Sequence, residues 1–291
     1  MKSVVLLLVV FAVEASAQCT CVNLLWAKCE GTPCKCYLPV QTPNRQLLDC
    51  TKLIPKCFLM KAEMAHIQGK RRLGGKPVET AIVDNDGIYD PDCTSTGQFR
   101  PKQCNNTEEC WCVNSAGVRR SDKGSKDIQC EEVETYWIRL DLKHTTASHL
   151  NLTKIKTTIE NVLQERYKLG KNLVKEVKYD EQANLMVVDI KKDIGDRTQD
   201  LSHMAYYLMK DVKGTTLFSN GSKLKFTTDG QNVSFEDIII YYVDEKPPTF
   251  TMKSLTGGVI AVIVVVLLAV VCGLLVVYFV RKRERAMNKG Q

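Results

Sequence analysis

Gln103-Cys104 followed by Cys110-Trp111-Cys112-Val113-Asn114 is the stretch on which the fold turns, because three cysteines crowd around one tryptophan. Such a window is either a disulfide scaffold or a metal site. Working outward, Cys104, Cys110 and Cys112 belong to a set of twelve cysteines between Cys19 and Cys130, with Cys272 standing apart. The twelve fall into two blocks of six: Cys19, Cys21, Cys29, Cys34, Cys36 and Cys50, then Cys57, Cys93, Cys104, Cys110, Cys112 and Cys130. An even number in each block reads as a disulfide framework, and spacing alone leaves many pairings open. No metal site is expected, since the close pairs are C-x-C and structural zinc sites favour C-x(2-4)-C. Residues 131–254 hold no cysteine and must stand on an ordinary apolar core, which marks a domain boundary near Cys130.

The two ends set the compartment. Lys2 precedes an apolar run from Val4 to Val13 that closes on Ala15-Ser16-Ala17, a secretory signal over 1–17 too short to cross a bilayer. Residues 257–280 carry no charge; as a helix at about 1.5 Å per residue they reach about 36 Å, against a hydrocarbon core of about 30 Å. Arg281-Lys282-Arg283-Glu284-Arg285 follows as a cytoplasmic stop-transfer flank and opens the tail, 281–291. The expected product is a type I single-pass protein of the plasma membrane with its ectodomain outside. Of the net charge of +7, the tail supplies +4, which leaves +3 for the ectodomain. A nucleic-acid partner loses its only support, and the basic excess suits anionic lipid headgroups.

The cysteine-free part reads as α+β. Trp137, Ile138, Leu140 and Leu142 form a strand-like run, and Ile155, Ile159, Val162, Leu163 and Tyr167 recur at helical spacing. Val174–Tyr179 and Leu185–Ile190 predict strands around a polar turn at Asp180 to Asn184. A second helix carries Leu201, Met204, Ala205, Leu208 and Val212 on one face, with Thr198 as N-cap and Gly214 as stop. Lys223–Thr228 and Gln231–Phe235 flank an Asp229-Gly230 hairpin turn, and Ile238–Val243 is β-branched and aromatic. An antiparallel sheet with helices on one face is expected, with Pro247-Pro248 ending it before the span.

No catalytic motif and no cofactor loop is present, so no enzyme activity and no cofactor are expected. His66, His144, His149 and His203 lack the neighbours that would make a base. Asp84-x-Asp86-Gly87-x-x-Asp90 misses the calcium-loop spacing and reads as a turn. Asn105, Asn151, Asn220 and Asn232 each open an N-x-[ST] sequon, an expected glycan site on a secreted chain. In the span, Gly257/Ala261 and Ala269/Gly273 are small-xxx-small pairs that let helices approach closely.

Tyr89-Asp90-Pro91-Asp92-Cys93, Gly97-x-Phe99, Gln103-Cys104, Cys110-Trp111-Cys112-Val113-Asn114 and Gly117 together resemble a thyroglobulin type-1 repeat. The chain as a whole resembles the epithelial cell adhesion molecule family, through Met60–Met64, Tyr136-Trp137-Ile138, Leu142-Lys143-His144, Asp211–Gly214, Tyr241–Lys246 and Gly258–Ile263. The resemblance implies a small cysteine-rich module over 18–54, a thyroglobulin type-1 domain over 55–130, a membrane-proximal α+β domain over 131–254 and the span. It implies the pairs Cys19 to Cys34, Cys21 to Cys50, Cys29 to Cys36, Cys57 to Cys93, Cys104 to Cys110 and Cys112 to Cys130, and a protease-sensitive dibasic loop at Arg71 and Arg72.

The function it implies is adhesion at the lateral surface and junctions of epithelial cells. Its partners would be a second copy of the chain, as a lateral homodimer, and claudins, met by the span through Ala269 and Gly273. A rival reading makes the thyroglobulin module an inhibitor of papain-like cysteine proteases. A third is a processed signalling receptor, which ranks lower because the tail is shorter than the family's.

Overall fold

The computed structural model describes residues 19–38, 45–71, 89–105, 108–145, 151–228, 230–250 and 257–287. The expected signal over 1–17, Arg72, the acidic turn from Asp84 to Gly87, His149, Asp229 and the tail beyond Met287 lie outside these residues, and Arg71 is described only as the end of a helix. The chain divides after Pro247, and its two parts are taken separately.

In the first part, β1 (Lys28–Glu30), β2 (Lys35–Tyr37) and β3 (Leu47–Leu48) make a small antiparallel sheet in that order. Elements this short cannot bury enough apolar surface to order themselves, and the cross-links Cys19–Cys34, Cys21–Cys50 and Cys29–Cys36 restrict the unfolded chain instead. Helix α1 (Lys56–Arg71) opens directly after Pro55 and buries Cys57, Phe58, Leu59 and Ala62. A hairpin of β4 (Lys102–Cys104) and β5 (Cys110–Cys112) follows, with Cys104 opposite Cys110. The bonds Cys57–Cys93, Cys104–Cys110 and Cys112–Cys130 staple this region.

Eight elements then build the cysteine-free α+β layer: β6 (Thr135–His144), α2 (Leu152–Tyr167), β7 (Val174–Asp180), β8 (Leu185–Lys191), α3 (Leu201–Val212), the two-residue strands β9 (Thr227–Thr228) and β10 (Gln231–Asn232), and β11 (Phe235–Asp244). The main sheet is antiparallel throughout, in the order β11-β6-β8-β7. Side chains alternate across a strand, so Ile138, Leu140 and Leu142 of β6 face the same side as Met186, Val188 and Ile190 of β8. All six are buried beneath α2 and α3. The helical stripes Ile155, Ile159, Leu163 and Tyr167, and Leu201, Met204, Ala205 and Leu208, supply the other half of that core. Each fully buried aliphatic side chain contributes about 1.5–3 kcal/mol.

Two details differ from the sequence reading. The N-cap of α3 is Asp200, whose carboxylate accepts from the Ser202 N–H, while Thr198 is held two residues earlier, donating through its N–H and hydroxyl to Asp196. The hairpin strands around Gly230 are also shorter than expected. Only Thr227–Thr228 and Gln231–Asn232 pair as strands, although the Val233 N–H still donates to the Phe226 carbonyl at 2.8 Å and both side chains are buried.

The second part contains α4 (Gly257–Met287). Its stretch Ala261–Arg283 is long and apolar enough to cross a membrane, and the helix continues through the basic flank rather than stopping at Val280.

Candidate interaction surface

The residues of the thyroglobulin-like motif are chiefly architectural. Gln103 is buried, and its amide donates to the carbonyls of Asp92 and Arg100 while its oxygen accepts from the Asp92 N–H. One buried side chain thus ties together three backbone groups of the segment 92–100, whose Asp92 carbonyl also accepts from the Arg100 N–H. Trp111 is buried with its ring edge-on to Tyr89 at 5.5 Å. Asn114 accepts from the N–H groups of Ala116 and Val118, which shapes the turn containing Gly117.

The same Asn114 reaches the cysteine-free layer, donating to Asp244 Oδ1 at 2.8 Å. Thr135 donates to that oxygen too, also at 2.8 Å, and burial raises the Asp244 carboxyl above its ordinary range against these hydrogen bonds. Arg120 donates to the carbonyls of Lys246 and Pro247. Buried Lys56 donates to the Ala116 carbonyl at 2.7 Å and lies 4.6 Å from the Tyr242 ring centre. Glu63 of α1 accepts from Tyr206 and Lys210 of α3. Polar groups buried at a junction must be paired, so these contacts fix the angle between the two domains.

With one face of the main sheet covered by helices, the other stays open. Three cross-strand rows run over it: Val243, Trp137, Lys191; Tyr241, Arg139, Asp189; and Ile239, Asp141, Val187. The middle row is locked. Arg139 forks onto Asp189 at 2.8 and 2.9 Å, and the Trp137 indole donates to the same carboxylate at 2.9 Å. These bonds, Arg139's foremost, hold the Asp189 carboxyl below its ordinary range although it is buried. Lys191 caps the Trp137 ring at 3.8 Å. Beside this rigid centre lies a shallow depression of about 370 Å³, floored by Trp137, Arg139, Val187, Tyr241 and Val243. Tyr241 is 49% exposed in this lining, and Ile239, two residues away on β11 and opposite Asp141, is 52% exposed.

Other predicted residues are dispersed. Asn105, Asn151, Asn220 and Asn232 are all exposed, as a glycan acceptor must be. Asn151 also caps α2, accepting from the N–H groups of Thr153 and Lys154, and Asn220 accepts from the Ser222 N–H. His66 stacks on Trp26, His144 is buried in the core, and His203 faces Asp200. Asp90 pairs with Lys61 at 3.2 Å. Ala269 and Gly273 sit one turn apart on α4 and are exposed along it. Among the described residues, the sulfur groups close enough to share a metal are already bonded as disulfides. The junction residues Lys56, Arg120 and Asp244 and the clamp at Asp189 carry no local sequence signal. Only the pairing of distant strands brings them together.

Comparison with known proteins agrees with this architecture. The thyroglobulin type-1 repeat model matches residues 57–131, and the C-terminal model of the EPCAM/Trop-2 family matches residues 135–244. The epithelial cell adhesion molecule of Mus musculus is 41% identical over 299 aligned residues, spanning 98% of this chain and 92% of the relative. The chain belongs to the epithelial cell adhesion molecule and Trop-2 family. Tumor-associated calcium signal transducer 2 of Homo sapiens is 40% identical over 98% of this chain and 90% of that relative. Epithelial cell adhesion molecule of Homo sapiens is 40% identical over 84% and 79%. Membership, with one apolar C-terminal helix among the described residues, makes this a single-pass type I protein of the plasma membrane, in a family of epithelial adhesion molecules and signal transducers.

Proposed function

We propose that this chain mediates or regulates epithelial cell–cell adhesion by associating with a second copy of itself through the open face of the main sheet. The observation that carries this reading is the pairing of exposed Ile239 and Tyr241 with a depression whose floor is already rigid. A preorganised floor loses little side-chain freedom on binding, and aromatic residues beside a charged clamp are the usual anchors of such contacts. Cross-linking and sedimentation of the full chain in detergent test it. Tyr241→Lys should weaken the dimer at least about thirtyfold with an unchanged melting temperature, since an anchor residue supplies about 2 kcal/mol or more. In parallel, cells expressing the wild-type chain should aggregate with one another and exclude dyed non-expressing cells. Unaltered association of Tyr241→Lys would remove the open face from the proposal.

The lateral partner in the membrane is proposed to be a claudin, met along the Ala269/Gly273 face of α4, where small side chains allow close backbone approach. Gly273→Leu should abolish co-precipitation with a claudin, and unchanged recovery would exclude this face. A protease cut after Arg71 or Arg72 is proposed to leave both pieces joined, because Cys57–Cys93 bridges the cut on non-reducing gels.

A further inference from the structure

Four cysteines of the N-terminal module, Cys19, Cys29, Cys34 and Cys36, bring their sulfur atoms within 4.8 Å of one another. They form two bonds, Cys19–Cys34 and Cys29–Cys36, and between these bonds the Cys34 and Cys36 sulfurs lie 4.0 Å apart. That distance is van der Waals contact. The cluster is graded in access: Cys34 is exposed, Cys19 and Cys29 are half-buried and Cys36 is 4% exposed. A third bond, Cys21–Cys50, adjoins the cluster at Cys36, and its Cys21 is 2% exposed. Two disulfides in contact, one of them open to solvent, meet the requirement for exchange: a new thiolate formed on one bond is already beside a sulfur of the other.

We propose that this cluster is a thiol–disulfide exchange site whose substrate is a dithiol reductant of the thioredoxin class. One thiolate of the reductant attacks the exposed Cys34 sulfur, forming a mixed disulfide and expelling Cys19 as a thiolate. The second reductant thiolate then closes the reductant's own disulfide and releases Cys34. The Cys34 thiolate attacks the Cys36 sulfur, forms a Cys34–Cys36 bond and expels Cys29. Two electrons and two protons pass from the dithiol to the chain, which ends with one bond among the four sulfurs and thiols at Cys19 and Cys29.

The Cys21–Cys50 bond stays closed, so the module remains attached while its N-terminus and β1 are untied. Residues 22–25 follow immediately and pair through their backbone with the cysteine-free domain, Leu25 N–H to the Leu217 carbonyl and Ser219 N–H to the Val22 carbonyl. The exchange therefore loosens the chain beside a contact between domains.

The test uses the full chain in detergent, treated with thioredoxin, its reductase and NADPH without denaturant. New thiols are blocked with light N-ethylmaleimide, the remaining cysteines are reduced and blocked with the heavy reagent, and peptides are mapped by mass spectrometry. At the earliest time the light label should rise at least tenfold over a reductase-free control on Cys19 and Cys29, with Cys21, Cys50 and the six cysteines from Cys57 to Cys130 heavy. Replacing the acceptor bond, Cys29→Ser with Cys36→Ser, should move the second light label to Cys34. Light label on Cys19 and Cys34 in the wild-type chain would mean reduction without exchange and overturn the proposal. So would an unlabelled module under conditions that reduce insulin.

Discussion

Replacing Arg166 with alanine is expected to lower the melting temperature of the ectodomain by about 6 to 20 °C. Arg166 closes α2 and donates through Nε to Asp211 Oδ2 at 2.8 Å, where the Tyr167 hydroxyl also donates at 2.7 Å. Its other nitrogens hold the Ser222 hydroxyl and carbonyl at 3.0 and 2.6 Å, and the guanidinium covers the Phe218 ring at 4.7 Å. The Asp211 side chain is 1% exposed and its second oxygen has no partner. Burial holds Tyr167 protonated, so it can only donate to this carboxylate and cannot neutralise it. Removing the arginine strands a buried charge, a change that costs about 3–5 kcal/mol, and each kcal/mol moves the midpoint of a domain this size by about 2–4 °C. Calorimetry of Arg166→Ala, Asp211→Asn and Arg166→Met with Asp211→Leu separates the terms. The double replacement should recover part of the loss, because it removes both desolvated charges but leaves the buried Tyr167 hydroxyl without its acceptor. A shift below about 2 °C for Arg166→Ala would show that the pair contributes little.

That network illustrates which parts of the molecule were legible in sequence. Tyr167 belongs to the stripe Ile155, Ile159, Leu163, Tyr167, and a helical period is sufficient to place such residues in a core. The partner Asp211 lies 45 residues from Arg166. Nothing local distinguishes it from a solvated acid, since buried aspartates are rare and are specified by the partner they meet. Lys56, Arg120 and Asp244 look like solvated charges in sequence for the same reason. Helix α1 is likewise masked in sequence, because its buried positions lie inside a cysteine-rich block that reads first as a disulfide scaffold. The run Ile238–Val243 is apolar at every position, the pattern of a strand buried on both faces. Only Ile238, Ile240 and Tyr242 turn toward the helices, which leaves Ile239 and Tyr241 for the open face. In the α3 cap, Thr198 and Asp200 are both competent oxygen acceptors. The choice falls to Asp200 because it directly precedes Leu201, the first helical residue, while the Thr198 hydroxyl lies two residues before the cap and donates to Asp196.

Gly117→Ala is expected to cost about 2–5 kcal/mol, whereas Gly195→Ala should cost only about 1–2 kcal/mol. Both glycines adopt left-handed backbone angles, φ +75° and +89°, so both substitutions carry the same torsional penalty for an L-residue. They differ in surroundings. A Cβ on Gly117 would stand 2.5 Å from two carbons of the buried Phe99 ring, while one on Gly195 would meet nothing within 4 Å. Phe99 has little room to retreat, since it packs within the disulfide-stapled domain, and the Gly117 carbonyl is fixed by the Tyr89 hydroxyl at 3.1 Å. Overpacking therefore adds about 1–3 kcal/mol to the torsional term. Thermal unfolding of the two variants and their yield at the cell surface measure the difference. Combining Gly117→Ala with Phe99→Leu should relieve the contact and restore part of the overpacking loss, leaving the torsional term and a smaller cost for the trimmed core side chain. Equal melting temperatures for the two single variants would show that the ring yields freely, and that the glycine of this turn is needed for its backbone angle alone.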